Sequence, residues 1–191
     1  MKCRPYDCKN STKQKRTIMK TSRMTHLALL TAMALILTLV ESALPPLAPI
    51  PGIKLGLANI ITLIALYFMT PADAFVIMLV RILLASLFAG QAMSMMYSFA
   101  GGLFCFAAML LTKKLLSERF IILTSMVGAI FHNVGQILIA YLLTKTTGIF
   151  LYFPILLLSG LITGLFTGLC AFYASKPLRR IPSHHPHDFK K

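Results

Sequence analysis

Apolar residues run along this chain in long blocks, separated by short breaks rich in proline, glycine or charge. A helix that crosses the hydrocarbon core of a bilayer needs roughly 20 predominantly apolar residues. Six segments qualify, at about 24–44, 53–70, 72–90, 93–111, 120–144 and 149–173. The breaks are Pro45-Pro46 through Gly52, Thr70-Pro71, Gly90-Gln91, Thr112 through Arg119, and Lys145 through Gly148. Pro71 suits the first turn of the third helix, where its missing N–H is no loss. Several breaks are so short that consecutive helices must be antiparallel neighbours. The pattern predicts an all-α integral membrane protein of six transmembrane helices over residues 24–173. It is flanked by a basic tail at 1–23, expected to be disordered, and a basic, His-containing tail at 174–191.

Composition agrees with that reading. Of the 191 residues, 57% are hydrophobic and 13% charged, where soluble domains carry about 25% charged residues. The net charge of +14 raises the question of a nucleic-acid partner. The charges, however, lie between and outside the apolar runs, which points to a membrane lipid surface and to no nucleic acid. The cysteines, Cys3, Cys8, Cys105 and Cys170, form neither a zinc spacing nor a disulfide framework. No metal or other cofactor is expected.

The distribution of Lys and Arg sets the orientation. The first tail holds eight of the 19, the loop near 112–119 three and the last tail five, all on one side if both termini are cytoplasmic. The opposite side holds Lys145 alone, and Lys54 and Arg81 lie within spans. A multi-pass protein of a bacterial cytoplasmic (inner) membrane with both ends inside is the expectation. The first apolar run exceeds a signal-peptide core and ends in Glu41 and a proline cluster, so it reads as a span. Met19-Lys20 would make an ordinary start for such a protein.

Depth follows at 1.5 Å per residue. Glu41 falls near the outer end of the first helix and Lys54 near the outer face of the second, with Asn59 about two turns in. Arg81 falls halfway along the third helix, and the fourth carries Tyr97 and Ser98 in its outer half. His132 and Asn133 lie mid-helix in the fifth, and Gln136, four residues on, shares a face with His132. A charge at the bilayer centre costs at least ~2.5–3.5 kcal/mol, so Arg81 should face the bundle interior with partners or water. The plainer readings are a structural bridge for Arg81, snorkelling for Lys54, and interhelical hydrogen bonds for HNVGQ at 132–136. Taken together, two cations, Lys54 and Arg81, against the one carboxylate of Glu41 favour an anionic ligand. Asn59, Tyr97, His132, Asn133 and Gln136 would supply directional hydrogen bonds in a pocket opening outward. The glycines of SGLITGLFTG, at 160, 164 and 168, suit close packing within the bundle. Ala28 and Ala32 form a second small-residue pair on the first helix.

Four stretches carry a family resemblance: LALLTAMALILTLVES in the first helix, PGIKLGLANI, the AGG at 100–102, and AIFHNVGQ at 129–136. They resemble the Gx transporter family, long labelled heptaprenyl diphosphate synthase component I. That family is in turn similar to the S-components of energy-coupling-factor transporters. The resemblance implies a six-helix protein that captures a small solute from outside. It also implies docking, through small residues of the first helix, onto a membrane coupling subunit that carries two ATPases. Ala28 and Ala32 stand where that docking motif would fall, and the Pro-rich loop would deliver Lys54 and Asn59 to the site.

The inherited label suggests a prenyl synthase. Such enzymes of the usual soluble type bind magnesium with Asp-rich motifs, whereas the five acids here, Asp7, Glu41, Asp73, Glu118 and Asp188, form no pair. There is no P-loop. The chain is therefore read as a non-enzyme without catalytic residues: a solute-binding transporter subunit for a small anionic solute. The alternative is a non-catalytic membrane subunit linked to heptaprenyl diphosphate or menaquinone synthesis, or to a flavin-dependent redox assembly.

Overall fold

The computed structural model describes residues 5–43, 56–90, 92–116 and 120–178, with the backbone alone for 5–20, 89, 177 and 178. The described residues form helices and turns only: α1 (Pro5–Ala43), α2 (Asn59–Phe68), α3 (Pro71–Ala89), α4 (Ala92–Leu115), α5 (Ile121–Thr144), a 3-10 turn (Thr147–Tyr152) and α6 (Phe153–Leu178). Five helices are long and apolar enough to cross a membrane. Their outward surfaces are apolar, with Leu87, Phe88, Leu158, Ile162 and Phe166 among the exposed side chains. A soluble monomer rarely exposes so much contiguous apolar surface, and a multi-pass membrane protein requires it.

Two elements depart from the sequence expectation. Helix α1 begins at Pro5, inside the stretch assigned to a disordered tail. Residues 6–43 contain neither Gly nor Pro, and the Lys, Gln and Arg of the basic segment are good helix formers, so nothing interrupts the helix before the apolar block. The segment at 53–70, expected to span, instead contains the ten-residue α2, which at 1.5 Å per residue covers about 15 Å. Gly56 adopts φ +79°, a conformation outside the helical region that glycine alone takes readily. At the other end Pro71 disfavours helical geometry in Thr70 before it. Thr70 caps α3 instead, its hydroxyl accepting the Asp73 N–H at 3.2 Å.

Contacts along the helices fix their relative directions. Arg23 of α1 donates from Nε to both Asp73 carboxylate oxygens, at 3.1 and 3.2 Å, and forms an ion pair through Nη2. Further along, Thr38 and Glu41 of α1 meet Arg81 and Ala85 of α3 around one cavity. Helices α1 and α3 therefore start at the same end and run in parallel. Helix α2 runs against them. Its first residue, Asn59, meets Arg81 mid-way along α3. Its last turn meets the far end of α4, where Lys113 Nζ donates to the Leu66 carbonyl at 2.6 Å and lies 5.1 Å from the Tyr67 ring centre. The Tyr67 hydroxyl reaches Thr124 Oγ1 at 3.0 Å.

Glycines let the remaining helices close on one another in antiparallel pairs. A Cβ at Gly102 would lie 3.0 Å from Ile82 of α3, and one at Gly135 would lie 2.8 Å from the Ala100 carbonyl of α4. On α6, a Cβ at Gly160, Gly164 or Gly168 would lie within 2.7–2.9 Å of Asn133 Nδ2, Met126 Cα and Ile122 Cα of α5. The Gly160–Gly168 stripe is thus spent inside the bundle. The main apolar core sits toward the α2 C-terminus, built on Leu63, Leu66, Ile77, Met78, Met109 and Ile121. A smaller cluster of Tyr97, Ile137, Ala140, Ile149 and Leu156 closes the other end. The polar residues lie between the two.

Candidate functional site

A cavity opens where α1, α3, α4 and α5 meet the turn that leads into α2. Thr38 and Glu41 of α1 and Gly56 of the turn line one side. Arg81, Ile82 and Ala85 of α3, Ser98 of α4 and His132 of α5 line the other. Its enclosed space is about 20 Å³, room for about one water-sized group.

Glu41 sits near the C-terminal end of α1 and is 7% exposed. Its carboxylate accepts the backbone N–H groups of Gly56 and Leu57, one on each oxygen. These bonds fix the chain as it enters α2. Gly56 is required twice over: its φ is +79°, and a Cβ there would lie 2.7 Å from Asn59 Nδ2. The turn continues with the Asn59 N–H donating to the Gly56 carbonyl at 2.9 Å.

Arg81 is 5% exposed. Its Nη2 donates to Asn59 Oδ1 at 3.3 Å. Arg81 Nε and Asn59 Nδ2 are both buried and have no hydrogen-bond partner among the described residues. A buried donor without an acceptor costs about 1–3 kcal/mol, more when charged. Two such donors on residues that touch each other leave this buried corner with spare donor capacity.

His132 and Gln136 are both buried and meet at 3.0 Å, ring Nε2 to amide nitrogen. An amide nitrogen can only donate, so Nε2 accepts in this contact. Gly101 explains the AGG stretch of α4: a Cβ there would lie 2.8 Å from the imidazole, so the glycine admits the ring against the α4 backbone.

Not every residue singled out from the sequence reaches the cavity. Glu41, Arg81 and His132 line it; Asn59 and Gln136 back it through Arg81 and His132. Asn133 faces α6, donating from Nδ2 to the Leu156 carbonyl at 2.6 Å. It is one position from His132, and the 100° step of a helix turns it to a different neighbour. Tyr97 packs in the small apolar cluster with Ile137 and Leu156. Lys54 lies outside the described residues. Ala28 and Ala32 are exposed on the open face of α1. Five lining residues escaped the sequence reading as site residues: Thr38, Gly56, Ile82, Ala85 and Ser98. Helical spacing offered the signal, since Thr38 is three before Glu41 and Ala85 four after Arg81. Among the described residues no group of three or more His, Cys, Asp or Glu could hold a metal ion.

Searches of curated proteins and of solved structures found no match. The family model described as heptaprenyl diphosphate synthase component I matches residues 30–174, from within α1 to near the end of α6 and across the whole cavity. The chain belongs to that family.

Proposed function

We propose that this chain is the membrane solute-binding subunit of an energy-coupling-factor-type transporter, taking a small anionic solute. The observation that carries the reading is Arg81: a guanidinium buried mid-way along α3 and lining a cavity, with Nε unmatched beside the unmatched Nδ2 of Asn59. A cation so costly to bury is retained here with spare donor capacity, which suits a ligand rather than a closed structural bridge. No catalytic role is assigned to the chain.

The role calls for six crossings. Helices α1 and α3 start at one end, so the chain must return across the bilayer between them. In this reading α2 lies on that return. Both termini then lie on one side, which the Lys and Arg distribution assigns to the cytoplasm of a bacterial cell. The cavity, on the far side of the main core, opens outward. The exposed Ala28 and Ala32 offer a close-approach surface for a coupling subunit with its ATPases.

The family description favours a second reading, a non-catalytic membrane partner of heptaprenyl diphosphate synthesis. Purification of the tagged protein from its native membranes separates the two. Transport predicts co-purification of a membrane coupling subunit and ATPases. Recovery of a soluble Asp-rich synthase, with no ATPase, would replace it with the second reading.

A further inference from the structure

Helix α1 outruns its own apolar span. The span begins at Thr21, but the helix begins at Pro5. Residues 5–20 therefore continue the span as one rod, about 24 Å long at 1.5 Å per residue. The Lys and Arg residues of this projection are not scattered around it. Lys9, Lys13, Arg16, Lys20 and Arg23 follow one another in alternate steps of four and three. At about 100° per residue they share one face, within an arc of about 80°. Lys15 falls off that face, and Asp7 falls on the opposite side. Arg23 fixes which side of α1 the stripe occupies, because its guanidinium pairs with Asp73 of α3. Helix α3 begins at Pro71, within a turn of Asp73. The face that meets α3 at Arg23 thus runs on beyond the start of α3, and by register it carries Lys20, Arg16, Lys13 and Lys9.

The chain has few charges with which to cover this stripe. Of its five acids, Glu41 is buried and bonded to the Gly56 and Leu57 N–H groups, and Asp73 is buried and paired with Arg23. Asp7, Glu118 and Asp188 remain, each isolated in the sequence, and a second copy of the chain brings nothing more. A lipid surface suits only the near end of the stripe. Lys9 lies about 21 Å beyond Arg23 along the helix, whereas charges are screened over about 8 Å at physiological salt. The phosphates of a nucleic-acid duplex wind around their axis, while these positions lie along a line. A line of charges at this spacing matches a second helix packed alongside, with opposite charges at the same spacing.

We propose that the projecting part of α1 is a docking face for an acidic helix of a partner protein. The proposal is independent of what the cavity binds. The full-length protein in detergent is titrated with a synthetic helical peptide that carries Glu in the same alternate steps, and binding is read by fluorescence anisotropy. A peptide of equal composition with its Glu residues spread around the helix, and duplex DNA, are the comparison probes. The striped peptide should bind severalfold more tightly than either, and less tightly as salt is raised. Exchanging Lys9→Asn with Asn10→Lys, and Lys13→Gln with Gln14→Lys, keeps the composition and moves two charges off the line. That variant should bind the striped peptide severalfold more weakly, and a chain begun at Met19 should not bind it. Equal binding of the two peptides, or unchanged binding after the exchange, would overturn the stripe. Tighter binding of duplex DNA would replace the acidic helix with nucleic acid. Binding should persist in nanodiscs containing phosphatidylglycerol; its loss there, and not in phosphatidylcholine nanodiscs, would assign the stripe to lipid instead. No binding of the striped peptide would overturn the proposal outright.

Discussion

At the scale of single residues, the cavity is held by contacts that a one-atom change disturbs. Gly56→Ala forces a side chain into a positive-φ position and against Asn59 Nδ2. Strain of this kind costs of order 1–3 kcal/mol, so the variant should unfold at a lower temperature and lose ligand affinity together. Arg81→Gln should act differently. The lost charge-assisted bond is worth about 1.5–3 kcal/mol, so affinity for the solute should fall roughly ten- to a hundredfold, with only a small drop in Tm from the loss of the Nη2 bond to Asn59 Oδ1. A structural bridge would show the reverse pattern. Glu41, Asn59, Arg81, His132 and Gln136 were legible in the sequence because polar residues inside apolar runs are conspicuous. Their partners were not. Whether Glu41 met a lysine, an arginine or the backbone depended on a turn at Gly56 that no periodicity encodes. Asn133 turns to Leu156 of α6 instead, because one residue's step along the helix rotates it to a different neighbour.

At the scale of elements, the long helices were legible from apolar length alone, and the short one was not. The block at 53–70 reads as a span by composition, yet Gly56 and the Thr70-Pro71 pair confine its helix to Asn59–Phe68. The α5–α6 contact brings backbones close together at Gly164, so Gly164→Leu should be strongly destabilising. Its Cβ alone would fall 2.7 Å from the Met126 backbone, and overpacking of this kind costs typically about 1–3 kcal/mol. Melting curves in detergent measure it, and a Tm equal to wild type would show that the helices separate freely. Ala28→Leu with Ala32→Leu on the exposed face of α1 should leave the Tm unchanged and weaken association with a coupling subunit. Pull-down of that subunit, undiminished, would remove this face from the interface.

At the scale of the whole molecule, the one-sided placement of Lys and Arg underlies the proposed orientation. In a protein freed of its native cysteines, Thr146→Cys should react with an impermeant thiol reagent from outside the cell. Leu115→Cys should react only after the membrane is opened. Labelling of position 115 from outside would invert the topology and turn the cavity toward the cytoplasm.

The central claim is that the cavity around Arg81 binds a small anion, and native mass spectrometry of the intact protein tests it most directly. Wild-type protein released from gentle detergent should carry a bound species of small mass that dissociates as an anion, and well-folded Arg81→Gln prepared in parallel should carry none. The same species retained at equal occupancy by Arg81→Gln would contradict the account.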